Sequence, residues 1–245
     1  MNIKMEIEYI GTNYSGWQKQ ANNPTIQEEI ENKLETIYKR KITLIGSGRT
    51  DSGVHSLNQV ANYHTLEKTS LNLISLKNDL NILLGSQIRI NKCVEVSKDF
   101  HSQHSCKKKT YMYRIKTQSP CSVFEKNRFL FIKKNLDVEK MKDIAQVFIG
   151  NHDFINFCKT GYSGKSTKRE IYSIRIIKSK KMLEIKIAGN GFLRGMVRLI
   201  VGALINYEKD KLSKSEILNA LGNRGKLKQN LSVPACGLYL YDVKY

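Results

Sequence analysis

Within the first hundred residues the spacing of apolar side chains switches repeatedly between a period of two and one of about 3.6, and this restricts the fold more than any other feature. Ile3, Met5, Ile7 and Tyr9 alternate with Lys4, Glu6 and Glu8, which predicts a strand with one buried face. Thr25 and Glu28 form a T-x-x-E capping signal after Pro24, and Ile26, Ile30, Leu34 and Ile37 then mark one helical face. Strands are expected over 41–45 and 59–64, a helix through Leu73, Leu76, Leu80 and Leu83, and a strand over 88–96. The resulting order, β-α-β-β-α-β, is a ferredoxin-like plan.

The remainder reuses the same parts. Strands are expected over 110–117 and 128–132. Asp137 caps a helix with Val138, Met141, Ile144 and Phe148 on one face. Further strands are expected over 168–177, 182–188 and 238–245. Between them lie a helix with Phe192, Met196, Leu199 and Ala203 facing inward and a short helix opened by the Ser213–Glu216 capping box. There is no short tandem repeat. The chain therefore reads as two α+β halves joined near residues 97–108, with domains at 1–105 and 106–245.

Charge narrows the partner. Forty-one Lys and Arg face 22 Asp and Glu, a net +19, and such a field concentrates polyanions at the surface. Nucleic acid is the leading partner class, against the plainer reading of a lysine-rich, soluble surface. The opening MNIKMEIEYI lacks a signal peptide's apolar run, and no stretch approaches the roughly 20 apolar residues of a membrane span. Cysteines 93, 106, 121, 158 and 236 form no C-x-x-C pair and read as reduced thiols of a cytoplasmic protein. His101 and His104 have no second ligand pair nearby, so no metal site is expected.

GSGRTDSGVHS, residues 46 to 56, places Asp51 among Gly46, Gly48 and Gly53. Glycines permit backbone angles that other residues resist, so the loop can project Arg49 and Asp51 between two strands. A solvated connection with an incidental carboxylate explains a bare G-x-x-D-x-G pattern at least as well. The stretch lacks the G-K-[ST] ending of a phosphate-cradling loop.

GRTDSGVHS, with NQVANY behind it, closely resembles the signature of the TruA family of tRNA pseudouridine synthases. EYIGTNYSGWQKQ (8–20), TIQEEIENKL, KDFHSQHSCKKKTYMYRI (98–115), STKREI (166–171), GNGFLRGMVRLIVGAL (189–204) and ACGLYL (235–240) resemble further family blocks in the same order. The resemblance implies isomerisation of uridine to pseudouridine at positions 38, 39 or 40 of the tRNA anticodon stem-loop, by a cytoplasmic homodimer needing no cofactor. Asp51 would be the catalytic carboxylate, as nucleophile or as base at C1′ of an everted nucleotide. Arg198 would pair with it. Tyr111 would pack on the uracil and is the candidate for proton removal at C5, whereas Tyr113, on the same strand face, reads as core. Arg49 would contact RNA near the vacated position, and Leu238 would line the base pocket. Arg194, four residues before Arg198, is expected on the same helical face. Lys107, Lys108, Lys109, Lys165, Lys168 and Arg169 are candidates for a phosphate-contacting cradle.

The expected architecture is α+β: two ferredoxin-like or RRM-like halves, antiparallel sheets joined into one extended central sheet, helices packed on one side and an active-site cleft between the halves. Three positions depart from the family pattern. Gln103 stands where an Arg is usual, Thr110 precedes Tyr111 where Arg is common, and Ser52 replaces Ala. The loss of Arg at 103 leaves room for a paralogue modifying a different RNA site. A competing reading, an RNA-binding or RNA-refolding module without catalysis, keeps the +19 field but would not need Asp51, Arg198 and Tyr111, all of which are present. An unrelated nuclease would need a metal-binding carboxylate cluster or a paired histidine, and neither is present in the sequence.

Overall fold

A computed structural model describes residues 1–65, 72–117, 122–161, 164–227 and 229–245. The fold is α+β, in two units: Met1–Lys107 with Tyr239–Tyr245, and Lys108–Leu238.

In the first unit the order is β1 (Asn2–Tyr9), α1 (Ile26–Tyr38), β2 (Ile45–Gly46), β3 (His55–His64), α2 (Leu73–Leu84) and β4 (Ile88–Val96). β1 lies between β3 and β4, antiparallel to both, with Met5 opposite Ala61 and Cys93. The alternation read from the sequence is realised, because Ile3, Met5, Ile7 and Tyr9 are buried while Lys4, Glu6 and Glu8 are only partly covered. Those four pack with Ile26, Ile30, Leu34 and Tyr38 of α1 and Leu76, Leu80 and Leu84 of α2 in one core. Burying each large aliphatic side chain contributes about 1.5–3 kcal/mol.

α1 begins where its cap predicts. Thr25 Oγ1 accepts the Glu28 N–H at 3.4 Å. The Glu28 carboxylate turns to Lys19, at 3.3 Å, and does not close the box. The strand expected over 41–45 shrinks to β2, for a visible reason. Leu44 donates its N–H to the buried Glu31 carboxylate at 2.9 Å, and its carbonyl accepts from Gln27 Nε2 at 3.1 Å. Side chains of α1 thus occupy the groups a longer ladder would use.

The closing strand, β10 (Leu238–Lys244), runs parallel to β3, with Tyr239 opposite His55 and Leu240 opposite Ser56. A parallel neighbour requires a long crossover, and here most of the second unit intervenes in sequence. The sheet is therefore mixed, not purely antiparallel.

The second unit comprises β5 (Lys108–Thr117), β6 (Leu130–Ile132), α3 (Val138–Ala145), β7 (Gly150–Asp153), β8 (Lys168–Ser179), β9 (Met182–Gly189), α4 (Met196–Glu208) and α5 (Lys214–Leu221). β9 lies between β5 and β8 and is antiparallel to both, β7 extends the ladder beyond β8, and β6 joins β5 in parallel. Asp137 caps α3 by accepting the Lys140 N–H at 3.1 Å. Ser213 and Glu216 form both bonds of their capping box, at 3.2 and 2.8 Å. α4 starts at Met196 and not at Phe192, because Gly195 adopts φ 71 and turns the chain immediately before it.

Candidate active site

The Asp51 loop leaves β2 and enters β3, and several of its backbone groups are tied down. From one side comes the segment between β1 and α1. Trp17 donates its N–H to the Thr50 carbonyl at 3.1 Å, and Gly53 donates to Tyr14 O at 3.4 Å. Ser52 Oγ donates to the same Tyr14 carbonyl at 3.2 Å. Gly11 and Gly16 let this segment approach so closely. A Cβ at Gly11 would overlap the Val54 carbonyl, one at Gly16 the Thr50 carbonyl, and Gly16 also needs its φ of 96. From the strand side, Gln59 is fully buried and reaches back into the loop. Its Oε1 accepts from Ser47 Oγ at 2.7 Å and its Nε2 donates to Gly48 O at 2.9 Å. Beneath, the Tyr9 hydroxyl meets Thr50 Oγ1 at 2.9 Å.

Asp51 therefore sits between anchored neighbours. Its carbonyl accepts the Val54 N–H at 3.1 Å, which closes the tip of the loop. The residue is half-buried, and Arg49, on the same loop, is exposed. Four residues after Asp51, His55 is buried against Tyr239, with ring centroids 4.7 Å apart, and its Nδ1 accepts the Gly11 N–H at 3.2 Å. The sequence reading placed Tyr9 on the buried face of a strand but assigned no place in the site to Tyr9, Tyr14, Trp17, His55 or Gln59. All five stand inside blocks that carried the family resemblance. The apolar alternation marked Tyr9 as buried, and a Gln in a strand adjoining a glycine loop is the physical signal that could have marked Gln59.

Tyr111, Arg198 and Leu238 belong to the second unit. Tyr111 is on β5 opposite Ile187, 8% exposed, and meets the Phe192 ring edge-on at 5.0 Å. Two residues on, Tyr113 is fully buried and donates its hydroxyl to Pro234 O at 2.8 Å. Burial raises its phenol well above the usual range, with the charge of Arg198 opposing, so Tyr113 is a core residue as expected. Arg198 is in the first turn of α4 among buried Met196, Val197, Ile200 and Val201. Its Nε donates to the Val233 carbonyl at 2.6 Å, which fixes the guanidinium of a cation in an apolar setting. Leu238 is 5% exposed at the start of β10. Arg194 does not share the helical face of Arg198, because it precedes the Gly195 turn and lies outside α4.

The basic candidates differ in posture. Lys107, Lys165 and Lys168 are exposed, and Lys108 and Lys109 are half-covered at the start of β5. Arg169 is half-buried, and its guanidinium donates to the carbonyls of Ser166 and Lys168 at 2.8 and 2.6 Å. Gln103 is exposed, and its N–H donates to His101 Nδ1 at 3.2 Å. The His101 and His104 rings lie against each other in a tilted arrangement, with centroids 4.2 Å apart. Burial and then the charge of His104 hold the His101 imidazole below its ordinary range.

Among the described residues, Cys93, Cys106, Cys158 and Cys236 take part in no disulfide, and Cys121 lies outside them. Among the described residues, no group of three or more His, Cys, Asp or Glu is placed to hold a metal ion, and no helix is long and apolar enough to cross a membrane.

Against this geometry stand the relatives. The sequence profile of a family described as tRNA pseudouridine synthase matches residues 5–104 and 144–245. A tRNA pseudouridine synthase A 2 of Clostridium tetani is 39% identical over 246 residues, covering 100% of this chain and 98% of its own. A tRNA pseudouridine synthase A of Acetivibrio thermocellus is 39% identical over 244 residues, covering 100% and 99%. A tRNA pseudouridine synthase A 2 of Bacillus cereus is 37% identical over 245 residues, again covering 100% and 99%. Among solved structures, a chain of a Cbf5-Nop10-Gar1 complex overlays on 82% of this chain and 54% of its own, at 12% identity and a TM-score of 0.32, too loosely to carry an argument.

Proposed function

The chain belongs to the tRNA pseudouridine synthase family, and from that premise we propose that it isomerises uridine in the anticodon stem-loop of tRNA, at positions 38, 39 or 40, with Asp51 as its catalytic carboxylate. The reaction breaks the C1′–N1 bond, turns the uracil and joins C1′ to C5. N1 gains a hydrogen and C5 loses one, so no electrons are exchanged with a carrier. The observation that supports Asp51 most directly is the clamped loop. A carboxylate acting on one sugar carbon must be held to a fraction of an ångström, and both flanks of this loop are fixed by buried partners.

Asp51 acts on the ribose as nucleophile or base, and either role needs the ionised form. Arg198 supplies the positive charge that orients the carboxylate and offsets repulsion from RNA phosphates. Tyr111 faces the everted uracil and serves proton removal at C5, Leu238 lines the base pocket, and Arg49 contacts RNA beside the vacated position. Lys107, Lys108, Lys109, Lys165, Lys168 and Arg169 contact phosphates. The enzyme works in the cytoplasm as a homodimer.

Asp51→Asn tests the central assignment. Isomerisation leaves mass unchanged but releases the hydrogen at C5, so tritium release from C5-labelled tRNA reports each turnover. The variant is expected to bind tRNA with little change and to release no tritium. Undiminished release would remove Asp51 from the mechanism.

A further inference from the structure

The first unit contains a recess far from the Asp51 loop. About 410 Å³ is lined by Arg40, Lys41, Ile42, His64, Thr65 and Lys98, near the start of β1. Within β1, Asn2 pairs with His64 at the recess end and Tyr9 with Ser56 beside the Asp51 loop. Seven strand steps put the two places roughly 23 Å apart.

Among the described residues, no carboxylate lines this recess and none of Arg40, Lys41 and Lys98 has an ion pair. Lys41, His64 and Lys98 are exposed at its rim. Arg40 holds the floor. Its Nη2 donates to the hydroxyl of buried Thr65 at 2.6 Å, while its Nε is sealed from solvent with no acceptor among the described residues. A cationic N–H cut off from both water and an acceptor is costly. Cations gathered in one concavity repel one another until an anion enters, and a guanidinium edge matches the oxygens of a phosphate.

We propose that this recess is a phosphate-binding site, occupied by a backbone phosphate of the RNA well away from the target uridine. The choice of RNA rests on the reading of tRNA as substrate. The exposed rim also favours it, since a small phosphorylated molecule is ordinarily enclosed by its site.

The test uses the full chain carrying Lys41→Gln and Lys98→Gln together, both at exposed positions, with thermal unfolding checked against the parent. tRNA affinity is measured by filter binding over a salt series, turnover by tritium release, and phosphate contact by the NMR shift of the Arg40 Nε–H during titration with inorganic phosphate. We expect the Kd for tRNA to rise about tenfold at low salt, the slope of log K against log salt to fall by about 1, and turnover at saturating tRNA to stay unchanged. Inorganic phosphate should shift the Arg40 Nε–H in the parent and do so more weakly in the double variant. A phosphate response with unchanged tRNA affinity and slope would overturn RNA as the occupant and leave a free phosphorylated molecule in its place. Neither response would overturn the site altogether. Asp51→Asn reads the catalytic assignment separately, so if that variant stays active while Lys41→Gln/Lys98→Gln weakens tRNA binding, the recess stands without it.

Discussion

Tyr9→Phe deletes one oxygen from beneath the Asp51 loop. That oxygen is 2.9 Å from Thr50 Oγ1, in a place where Tyr9 is 3% and Thr50 6% exposed. Burial raises the Tyr9 phenol far above the usual range, against hydrogen bonds from Thr50, Gln59 and Ser56, so it is a neutral hydroxyl at any working pH. Without it, the Thr50 hydroxyl loses a buried partner, at a cost of about 1–2 kcal/mol. For a chain of this size that lowers the melting temperature by about 3–6 °C. The functional cost is separate. Asp51 follows Thr50 directly, and a 1 Å misplacement of a reacting group can cost about a hundredfold in rate.

The assay needs no added label for stability. Trp17, the single tryptophan, lies 6.1 Å from the Tyr9 ring and donates its backbone N–H to the Thr50 carbonyl, so its fluorescence reports on the loop itself. Unfolding is followed by that signal and turnover by tritium release, for Tyr9→Phe, Thr50→Val and the double variant. The expected coupling between the two sites is about 1 kcal/mol, with kcat reduced in both single variants. Strictly additive stabilities together with a parental kcat in Tyr9→Phe would refute the claim that this hydroxyl pair holds the loop.

Three further outcomes are expected. Gly16→Ala forces an unfavourable φ of 96 and a clash with the Thr50 carbonyl, and should lose at least about 1 kcal/mol of stability together with most turnover, read by the same two assays. Burial pushes the Cys93 thiol up to about 12, with Lys77 opposing, whereas the unfolded thiol ionises near 9.0; the folded state holds this proton more tightly, so the stabilisation is complete below pH 9 and fades as pH climbs toward 12. Buried Tyr63 and Tyr113 act in the same direction at still higher pH, and the urea midpoint should fall steadily above pH about 9, with Cys93 resisting iodoacetamide in the native protein at neutral pH. Arg198→Lys keeps the charge but loses the Nε donor to Val233 O, and should lower kcat more than tRNA affinity in parallel turnover and filter-binding measurements.

Much of the scaffold was legible from periodicity and caps, because both signals are local. The expected strand over 88–96 is β4 to the residue, and Asp137 and Ser213 cap the helices they announce. Failures occurred where a non-local partner decides. β2 is short because Gln27 and Glu31, more than a dozen residues earlier, take the backbone groups of Leu44. β7 is polar GNHD, with no alternation to read, and exists because β8 offers it a ladder. Phe192 fitted the helical spacing, yet the chain turns at Gly195, whose φ of 71 no periodicity encodes.

The loop itself shows the same division more sharply. GSGRTDSGVHS admits two readings, a pliable connection or an aimed carboxylate, since glycine is compatible with both. The glycines that separate them, Gly11 and Gly16, lie outside the stretch, where an absent Cβ admits a neighbouring backbone instead of loosening the chain. A pliable connection would leave the carbonyls of Gly48 and Thr50 to water. Here Gln59 and Trp17 take them up, and burying a glutamine is unfavourable unless its amide finds partners of fixed position. Gln59 is therefore worth burying only if the loop above it stays in one conformation. The sequence held both ends of that argument 11 residues apart, but their connection depends on the register of β3, which no local pattern specifies.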